Sequence, residues 1–279
     1  MKYNVVDLSK HYKLSGGSLA CILMDEPYDR SEERWSRPAV IVVPGGGYGM
    51  VSKREGEPIA FSFLDKGFQT FILEYTIGGE NGKSYPEQLL ELAAAVDYVK
   101  KNAQSMRINP DEIFVVGFSA GGHLVGNLCV EYATVAEKYG APLDCKPTAA
   151  GLCYPVISYI DGHLGSYENL LYGYTDEAKT ELLKTLCLDK AVTDKTPPAF
   201  LWTTAKDKCV PPSNALRYAM ALDKAGVTYE LHVYPKGGHG LSTCLPEVNY
   251  GNAAYVRNAV WMQDCASFFL SFCREQFHD

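Results

Sequence analysis

Residues 113–132 read IFVVGFSAGGHLVGNLCVEY. The apolar run at 113–118 predicts a buried strand, and the apolar pattern that begins at His123 predicts a helix. Between them a serine stands in Gly117-Phe118-Ser119-Ala120-Gly121. In this context G-x-S-x-G is typical of a nucleophile elbow, a strained turn that exposes the serine hydroxyl above a sheet. Ser119 is therefore the candidate nucleophile.

Five further apolar runs predict strands of the same buried type. They lie at 39–43, 69–75, 149–154, 199–204 and 229–234, with the weakest pattern at 149–154. Near-continuous hydrophobicity is typical of parallel strands covered on both faces. Helical patterns alternate with these runs, so the sequence predicts a doubly wound, mostly parallel α/β sheet with helices on both faces. We expect residues 1–279 to form a single domain.

Two helices can be predicted from periodic apolar positions. The first has Ser84 as its N-cap and Pro86 in its first turn, where a missing N–H costs little. Its apolar face is Tyr85, Leu89, Leu92, Val96, Val99 and Ala103. The apolar face of the second, near the C-terminus, is Tyr255, Ala259, Met262, Ala266, Phe269 and Cys273.

The segment from about 155 to 195 departs from the alternation. It contains several tyrosines, His163 and a helical stretch near 177–188. It is either a small cap-like insertion over the C-terminal edge of the sheet or a surface loop with one helix. Its tyrosines are either sugar-stacking faces or packing residues, and His163 is either a substrate contact or a surface histidine.

A triple glycine follows the predicted strand at 39–43. The sequence Pro44-Gly45-Gly46-Gly47-Tyr48 lets backbone N–H groups turn toward a substrate oxygen without a side chain in the way. With the N–H of Ala120, this loop would complete an oxyanion hole. A phosphate-binding loop and a plain flexible turn are the alternatives. The stretch GGGYGMVSKRE lacks both the G-x-G-x-x-G and the Walker spacing.

The candidate base and acid each follow a predicted strand. His239, in Gly237-Gly238-His239-Gly240, has glycines on both sides that leave its imidazole room to reach the serine. Asp207 lies just past the strand at 199–204. The order Ser119, Asp207, His239 is typical of folds that carry a nucleophile elbow. The sequence therefore predicts a Ser-His-Asp triad that needs no metal and no organic cofactor.

Composition excludes several classes of partner. The chain has 279 residues, a formal net charge of −7 with scattered carboxylates, and no run of five basic residues, so nucleic acid is disfavoured. No stretch of about 18 apolar residues predicts a membrane span. The N-terminus lacks the apolar core of a secretory signal, and the nine cysteines form no C-x-x-C pair. We expect reduced thiols and a cytoplasmic location, with the oligomeric state, a homo-oligomer included, left open.

Four motifs together resemble a known family. PGGGY, GFSAGGHL, AKDKCVPP and GGHGL are similar to α/β-hydrolase esterases related to hormone-sensitive lipase, and more closely to small bacterial acetyl-xylan esterases. The resemblance runs from about Ala39 to the C-terminus and implies that Gly46, Gly47 and Ala120 supply the oxyanion N–H groups. Pro44 stands where the wider family usually has histidine, which weakens any transfer of substrate preference.

The resemblance implies a serine carboxylesterase that deacetylates short acetylated sugars or xylo-oligosaccharides. Its partner would be a small-molecule or oligosaccharide ester, for which Tyr48 and His163 are candidate contacts. An aryl formamidase or small peptidase could use the same triad. A non-catalytic ligand-binding protein of the same fold is the alternative from another class.

Overall fold

The computed structural model describes residues 1–24, 36–140, 143–251 and 253–274. Within these ranges eight strands form one sheet: Lys2–Asp7 (β1), Ser18–Leu23 (β2), Arg37–Val43 (β3), Gln69–Glu74 (β4), Ile108–Phe118 (β5), Ala150–Cys153 (β6), Ala199–Thr204 (β7) and Tyr229–Tyr234 (β8). Their spatial order is β1-β2-β4-β3-β5-β6-β7-β8. β2 is antiparallel to both of its neighbours, and every pair from β4 to β8 is parallel.

The doubly wound, mostly parallel sheet predicted from the sequence is confirmed. All six predicted strands exist as β3 to β8. The N-terminal pair β1 and β2 was not predicted, because β1 is an edge strand with four exposed residues in succession and shows no buried run. The parallel strands all point the same way, so the loops after β3, β5, β7 and β8 meet at one edge.

Helices cover both faces of the sheet. They are Glu57–Asp65 (α1), Glu87–Lys101 (α2), Ala120–Glu131 (α3), Val135–Tyr139 (α4), Leu164–Leu170 (α5), Asp176–Thr185 (α6), Ser213–Ala225 (α7) and Trp261–Leu270 (α8). Buried residues of α2, α3 and α7 form one core cluster, and those of α1 and α8 form another on the opposite face. Strand β5 joins the two, since Val115 belongs to the first cluster and Val116 to the second.

The two predicted helices differ in detail from those in the structure. The apolar face of α2 is buried as expected, but Ser84 does not cap it. The Ser84 hydroxyl donates instead to the carbonyl of Tyr172, and Pro86 occupies the N-cap position. Near the C-terminus, residues Ala253–Val260 form a 3-10 helix, and α8 begins only at Trp261.

The segment 155–195 holds two helices, α5 and α6, and a 3-10 turn at Leu188–Lys190. Helix α5 lies against the loop that follows β3, where the side-chain amide of Asn169 donates to the carbonyl of Gly47 at 2.9 Å. Tyr167 is buried in the first core cluster. The Tyr174 hydroxyl donates to the carbonyl of Tyr85 at 2.7 Å. These two tyrosines are therefore packing residues rather than faces open to a sugar.

Candidate active site

Ser119 lies on a sharp turn between β5 and α3. Its backbone has φ 54° and ψ −116°, a conformation that L-residues rarely adopt. The flanking glycines are required by space. A Cβ on Gly117 would lie 2.3 Å from the carbonyl oxygen of Gly121, and one on Gly121 would lie 2.2 Å from that of Val43. The turn therefore has the geometry expected of a nucleophile elbow.

The loops after β7 and β8 bring Asp207 and His239 to this serine. The distance from His239 Nε2 to Ser119 Oγ is 2.7 Å, and the distance from His239 Nδ1 to Asp207 Oδ2 is also 2.7 Å. The Asp207 side chain is fully buried, and 20% of the His239 side chain is exposed. The structure thus brings together the three residues that the sequence singled out, in one chain of hydrogen bonds.

The Asp207 carboxylate is held in place by its own loop. Its Oδ1 accepts hydrogen bonds from the backbone N–H groups of Cys209 and Val210, both at 2.9 Å. An ionised carboxylate only accepts, so the hydrogen bond to Oδ2 requires a proton on His239 Nδ1. Nε2 is then free to accept the Ser119 hydroxyl proton. The geometry allows proton transfer from the serine to the imidazole.

The glycine loop after β3 presents N–H groups beside Ser119. The carbonyl of Gly45 accepts from Ser52 N–H at 2.9 Å, and that of Gly46 accepts from the N–H groups of Gly49 and Met50. In a trans peptide the N–H points opposite the carbonyl, so the N–H groups of Gly46 and Gly47 are turned away from these bonds. Neither N–H group donates a hydrogen bond to any described residue.

The Ala120 N–H is oriented in the same manner. The carbonyl of Ser119 accepts from the N–H groups of His123 and Val156, both at 3.1 Å, so the N–H of the same peptide points the other way. No described residue accepts from it. The glycine loop lies close by, since a Cβ on Gly45 would be 3.0 Å from Ser119 Cβ. Gly46, Gly47 and Ala120 thus carry N–H groups that have no described acceptor, on two segments that adjoin at Ser119.

Tyr48, which directly follows the glycines, is buried, so its prediction as a substrate contact is wrong. Its side chain is 1% exposed, and its hydroxyl lies 2.8 Å from His123 Nδ1. The other ring nitrogen of His123 lies 3.2 Å from the carbonyl of Leu186, which can only accept. His123 therefore carries its proton on Nε2 and accepts from Tyr48. Burial lowers the pKa of His123 to about 4, so the ring stays neutral at physiological pH.

His163 lies next to the glycine loop, at the start of α5. Its Nδ1 is 3.1 Å from the Ser166 hydroxyl, and a Cβ on Gly47 would lie 3.9 Å from its Cε1. Its side chain is half-buried. No described residue bonds its Nε2. The structure thus places the His163 ring beside the glycine loop.

Glu55 lies at the site, although no motif in the sequence singles it out. It is 4% exposed, and its carboxylate accepts from Gly45 N–H at 2.9 Å and from the Tyr154 hydroxyl at 2.7 Å. The sequence feature that could have identified Glu55 is an acidic residue shortly after the glycine loop, in SKREGEP. Its partners lie in distant segments, so no local pattern could identify its contacts.

The described residues contain no group of three or more His, Cys, Asp or Glu side chains arranged to hold a metal ion. No helix among them is both long enough and apolar enough to cross a bilayer.

Comparison with known proteins identifies the family. A family model described as BD-FAE matches residues 26–222, which is more than half of the chain. The chain belongs to the BD-FAE family.

Curated relatives of this BD-FAE chain are longer proteins. It is 35% identical over 218 residues to endo-1,4-beta-xylanase B of Butyrivibrio fibrisolvens, covering 76% of the chain and 33% of the relative. It is 31% identical over 229 residues to an acetylxylan esterase of Xylanibacter ruminicola, covering 80% and 43%. The chain thus spans less than half the length of either relative.

Solved structures of similar proteins share the fold of this BD-FAE chain. An acetyl ester-xyloside bifunctional hydrolase from Caldicellulosiruptor lactoaceticus is 34% identical, with a TM-score of 0.78 over 92% of this chain and 88% of the other. The carboxylesterase Cest-2923 from Lactobacillus plantarum is 26% identical, with a TM-score of 0.84 over 97% and 98%. The resemblance to α/β-hydrolase carbohydrate esterases is confirmed, and these neighbours support a carboxylesterase activity.

Proposed function

We propose that the protein is a serine carboxylesterase in which Ser119 is the nucleophile, His239 the base and Asp207 the group that orients the base. The observation that carries this proposal is the unbroken chain Ser119 Oγ–His239 Nε2 and His239 Nδ1–Asp207 Oδ2, with 2.7 Å at each link. Each contact has the length of a good hydrogen bond, which is the arrangement that nucleophilic catalysis requires.

Acylation follows from this geometry. Ser119 Oγ forms a bond to the acyl carbon while its proton passes to His239 Nε2, and the carbonyl electron pair moves onto the oxygen. The N–H groups of Gly46, Gly47 and Ala120 donate to that oxyanion, and Asp207 stabilises the imidazolium. When the tetrahedral intermediate collapses, the ester C–O bond breaks. The leaving alkoxide takes the proton from His239 and departs as an alcohol.

Deacylation repeats these steps with water. His239 removes a proton from a water molecule, whose oxygen attacks the acyl carbon of the acyl-serine. The second tetrahedral intermediate collapses, the Ser119 Oγ–C bond breaks, and Nε2 returns the proton to Ser119. The products are a carboxylic acid and the free enzyme.

The proposed substrate class is acetyl esters of short sugars or xylo-oligosaccharides. The relatives named as an acetylxylan esterase and as an acetyl ester-xyloside bifunctional hydrolase support this choice. His163 is the proposed substrate contact, because its ring lies beside the glycine loop and its Nε2, which no described residue bonds, can hydrogen-bond a sugar hydroxyl. Tyr48 has no part in this proposal, since it is buried.

A substrate panel tests the proposal. Purified protein is assayed with acetylated xylobiose, p-nitrophenyl acetate, p-nitrophenyl butyrate and an N-formyl arylamine, with Ser119→Ala as the matched inactive control. We expect acetyl esters to be cleaved well, and labelling by a fluorophosphonate to require Ser119. A strong preference for butyrate would end the sugar assignment. Cleavage of the formamide alone would favour amidase chemistry, and no Ser119-dependent reaction at all would favour a binding protein.

We further propose that the protein works in the cytoplasm. All nine cysteines are free thiols, and seven of them are buried. Free thiols in this number are typical of a reducing compartment. When the native host is lysed in denaturant with an alkylating agent, mass spectrometry of the protein is expected to find all nine cysteines alkylated. Disulfides in that sample would contradict the location.

A further inference from the structure

Glu55 occupies an unusual position for a charged side chain. It is 4% exposed, and the described residues contain no cation paired with it. The adjacent Arg54 turns elsewhere, because its guanidinium donates to the carbonyl of Val248 and to Asn249 Oδ1. Burying a carboxylate is costly unless donors surround it. The donors that hold Glu55 therefore indicate what the residue is for.

The hydrogen bonds around Glu55 can run in only one direction. Ser242 N–H donates to the Tyr154 hydroxyl oxygen at 2.9 Å, so the Tyr154 hydrogen is free to point to Glu55 Oε1, 2.7 Å away. From the other side Gly45 N–H donates to Glu55 Oε2. Both ends of this chain are backbone donors. The group between Gly45 N–H and the Tyr154 hydroxyl must therefore accept a hydrogen bond at each of two oxygens, as a carboxylate does.

This series of hydrogen bonds joins the glycine loop after β3 to the loop that carries His239. Gly45 precedes Gly46, whose N–H is one of the proposed oxyanion donors. Ser242 follows His239 by three residues in the same loop, and the Tyr154 ring packs edge-on against the His239 imidazole with centroids 5.1 Å apart. Glu55 also lies near the nucleophile, since a Cβ on Gly45 would be 2.8 Å from Glu55 Oε2 and 3.0 Å from Ser119 Cβ.

We propose that Glu55 is a positioning residue of the esterase, which together with Tyr154 sets the oxyanion loop and the histidine loop at the correct separation. The proposal rests on the proposed function, because it assigns Glu55 a task in that reaction. Glu55 does not touch the reacting atoms. It acts through Gly45 on the oxyanion donors, and through Tyr154 and Ser242 on the turn that carries His239.

The variant Glu55→Gln breaks this chain with little change of shape. The amide oxygen can still accept from Gly45 N–H, but the amide nitrogen then faces Tyr154 as a donor. The Tyr154 oxygen would meet two donors, and its own hydrogen would lose its acceptor. Tyr154→Phe removes the link from the other side and leaves Ser242 N–H without a partner. The two variants therefore damage the same chain in different places.

The experiment compares kcat, KM and transition-state binding for wild type, Glu55→Gln, Tyr154→Phe and the double variant, with p-nitrophenyl acetate as substrate. We expect kcat to fall about 10-fold to 100-fold in each single variant while KM changes little, because small misplacements of catalytic groups carry such costs. The inhibition constant of a trifluoromethyl ketone should rise in step with the fall in kcat/KM. The double variant should lose little beyond the worse single one.

A matched Glu–Tyr pair provides the control. The Tyr85 hydroxyl donates to Glu131 Oε1 at 3.2 Å in a buried contact that is not part of the proposed site. Glu131→Gln and Tyr85→Phe should therefore keep kcat and the inhibition constant at wild-type values. All kinetic constants are expressed per active site titrated with a fluorophosphonate, so that a smaller folded fraction does not imitate a slower enzyme.

The outcomes separate this proposal from the function on which it rests. Wild-type protein without Ser119-dependent esterase activity would overturn the proposed function itself. An active wild type with kcat within about twofold in both Glu55→Gln and Tyr154→Phe would overturn the positioning role alone. Losses that match those of the Glu131 and Tyr85 variants, or an inhibition constant that does not move, would overturn the positioning role as well.

Discussion

The burial of His123 makes the stability of the protein depend on pH in a predictable direction. The side chain is 1% exposed, between the Tyr48 hydroxyl and the Leu186 carbonyl. Desolvation by burial lowers the pKa of its imidazole from 6.5 to about 4. The unfolded chain therefore binds a proton near pH 6.5, and the folded protein does so only near pH 4. The folded state loses stability as the pH falls through this window.

The size of the loss follows from the two pKa values. Between about pH 8 and pH 4.5 they predict a decrease of about 2.5 kcal/mol in the free energy of unfolding that belongs to this one group. The variant His123→Gln removes the titrating group, while its amide can still donate to one neighbour and accept from the other. We expect its unfolding free energy to fall by about 2.5 kcal/mol less than that of the wild type over the same pH interval.

Urea unfolding followed by tryptophan fluorescence at about pH 8 and pH 4.5 measures this difference directly. The exposed histidine at position 11 provides the control, since His11→Gln should retain the wild-type pH dependence. If the His123 variant loses as much stability on acidification as the wild type does, the ring takes up its proton equally well in both states. A neutral His123 that accepts from the Tyr48 hydroxyl would then be refuted.

Three other changes have definite expected results. Asp207→Asn should lower kcat by about 10⁴-fold in a p-nitrophenyl acetate assay, because its amide would donate to His239 Nδ1 and leave Nε2 protonated. Burial raises the pKa of Glu91 to about 7. A raised carboxyl pKa makes the folded state lose stability as pH rises from about 4.5 through 7. In urea unfolding we therefore expect the change in unfolding free energy from pH 5 to pH 8 to be about 2.5 kcal/mol more favourable in Glu91→Gln than in the wild type. Gly121→Ala should lower the melting temperature and slow fluorophosphonate labelling, because its Cβ would lie 2.2 Å from a carbonyl oxygen of β3.

The residues that motifs identify were predictable, because the chemistry of each is local. Ser119 needs a strained turn with small neighbours, and five consecutive residues meet that requirement. The loops holding Asp207 and His239 follow strands with clear buried patterns, so their meeting at one sheet edge followed from the parallel topology. The six strands of that parallel set were predictable for the same reason.

The features that escaped prediction depend on contacts between distant segments. Ser84 has the sequence context of an N-cap, but its hydroxyl donates to Tyr172, 88 positions along the chain. Tyr48 follows the glycine run, where a side chain could face a substrate. In the structure its backbone is left-handed, with φ 59°, and its ring is buried against His123. Glu55 binds groups 10 and 99 positions away. No periodicity or spacing in the sequence indicates such partners.

Trapping the acyl-enzyme tests the catalytic role of Ser119 most directly. The protein is mixed with p-nitrophenyl acetate, quenched in acid during the first turnover, digested and analysed by mass spectrometry. The proposed mechanism predicts the mass of one added acetyl group on the peptide that contains Ser119, formed with a burst of p-nitrophenol and abolished in Ser119→Ala. Full esterase activity in Ser119→Ala, or an acetyl group that forms and turns over at the catalytic rate on another residue, would contradict it.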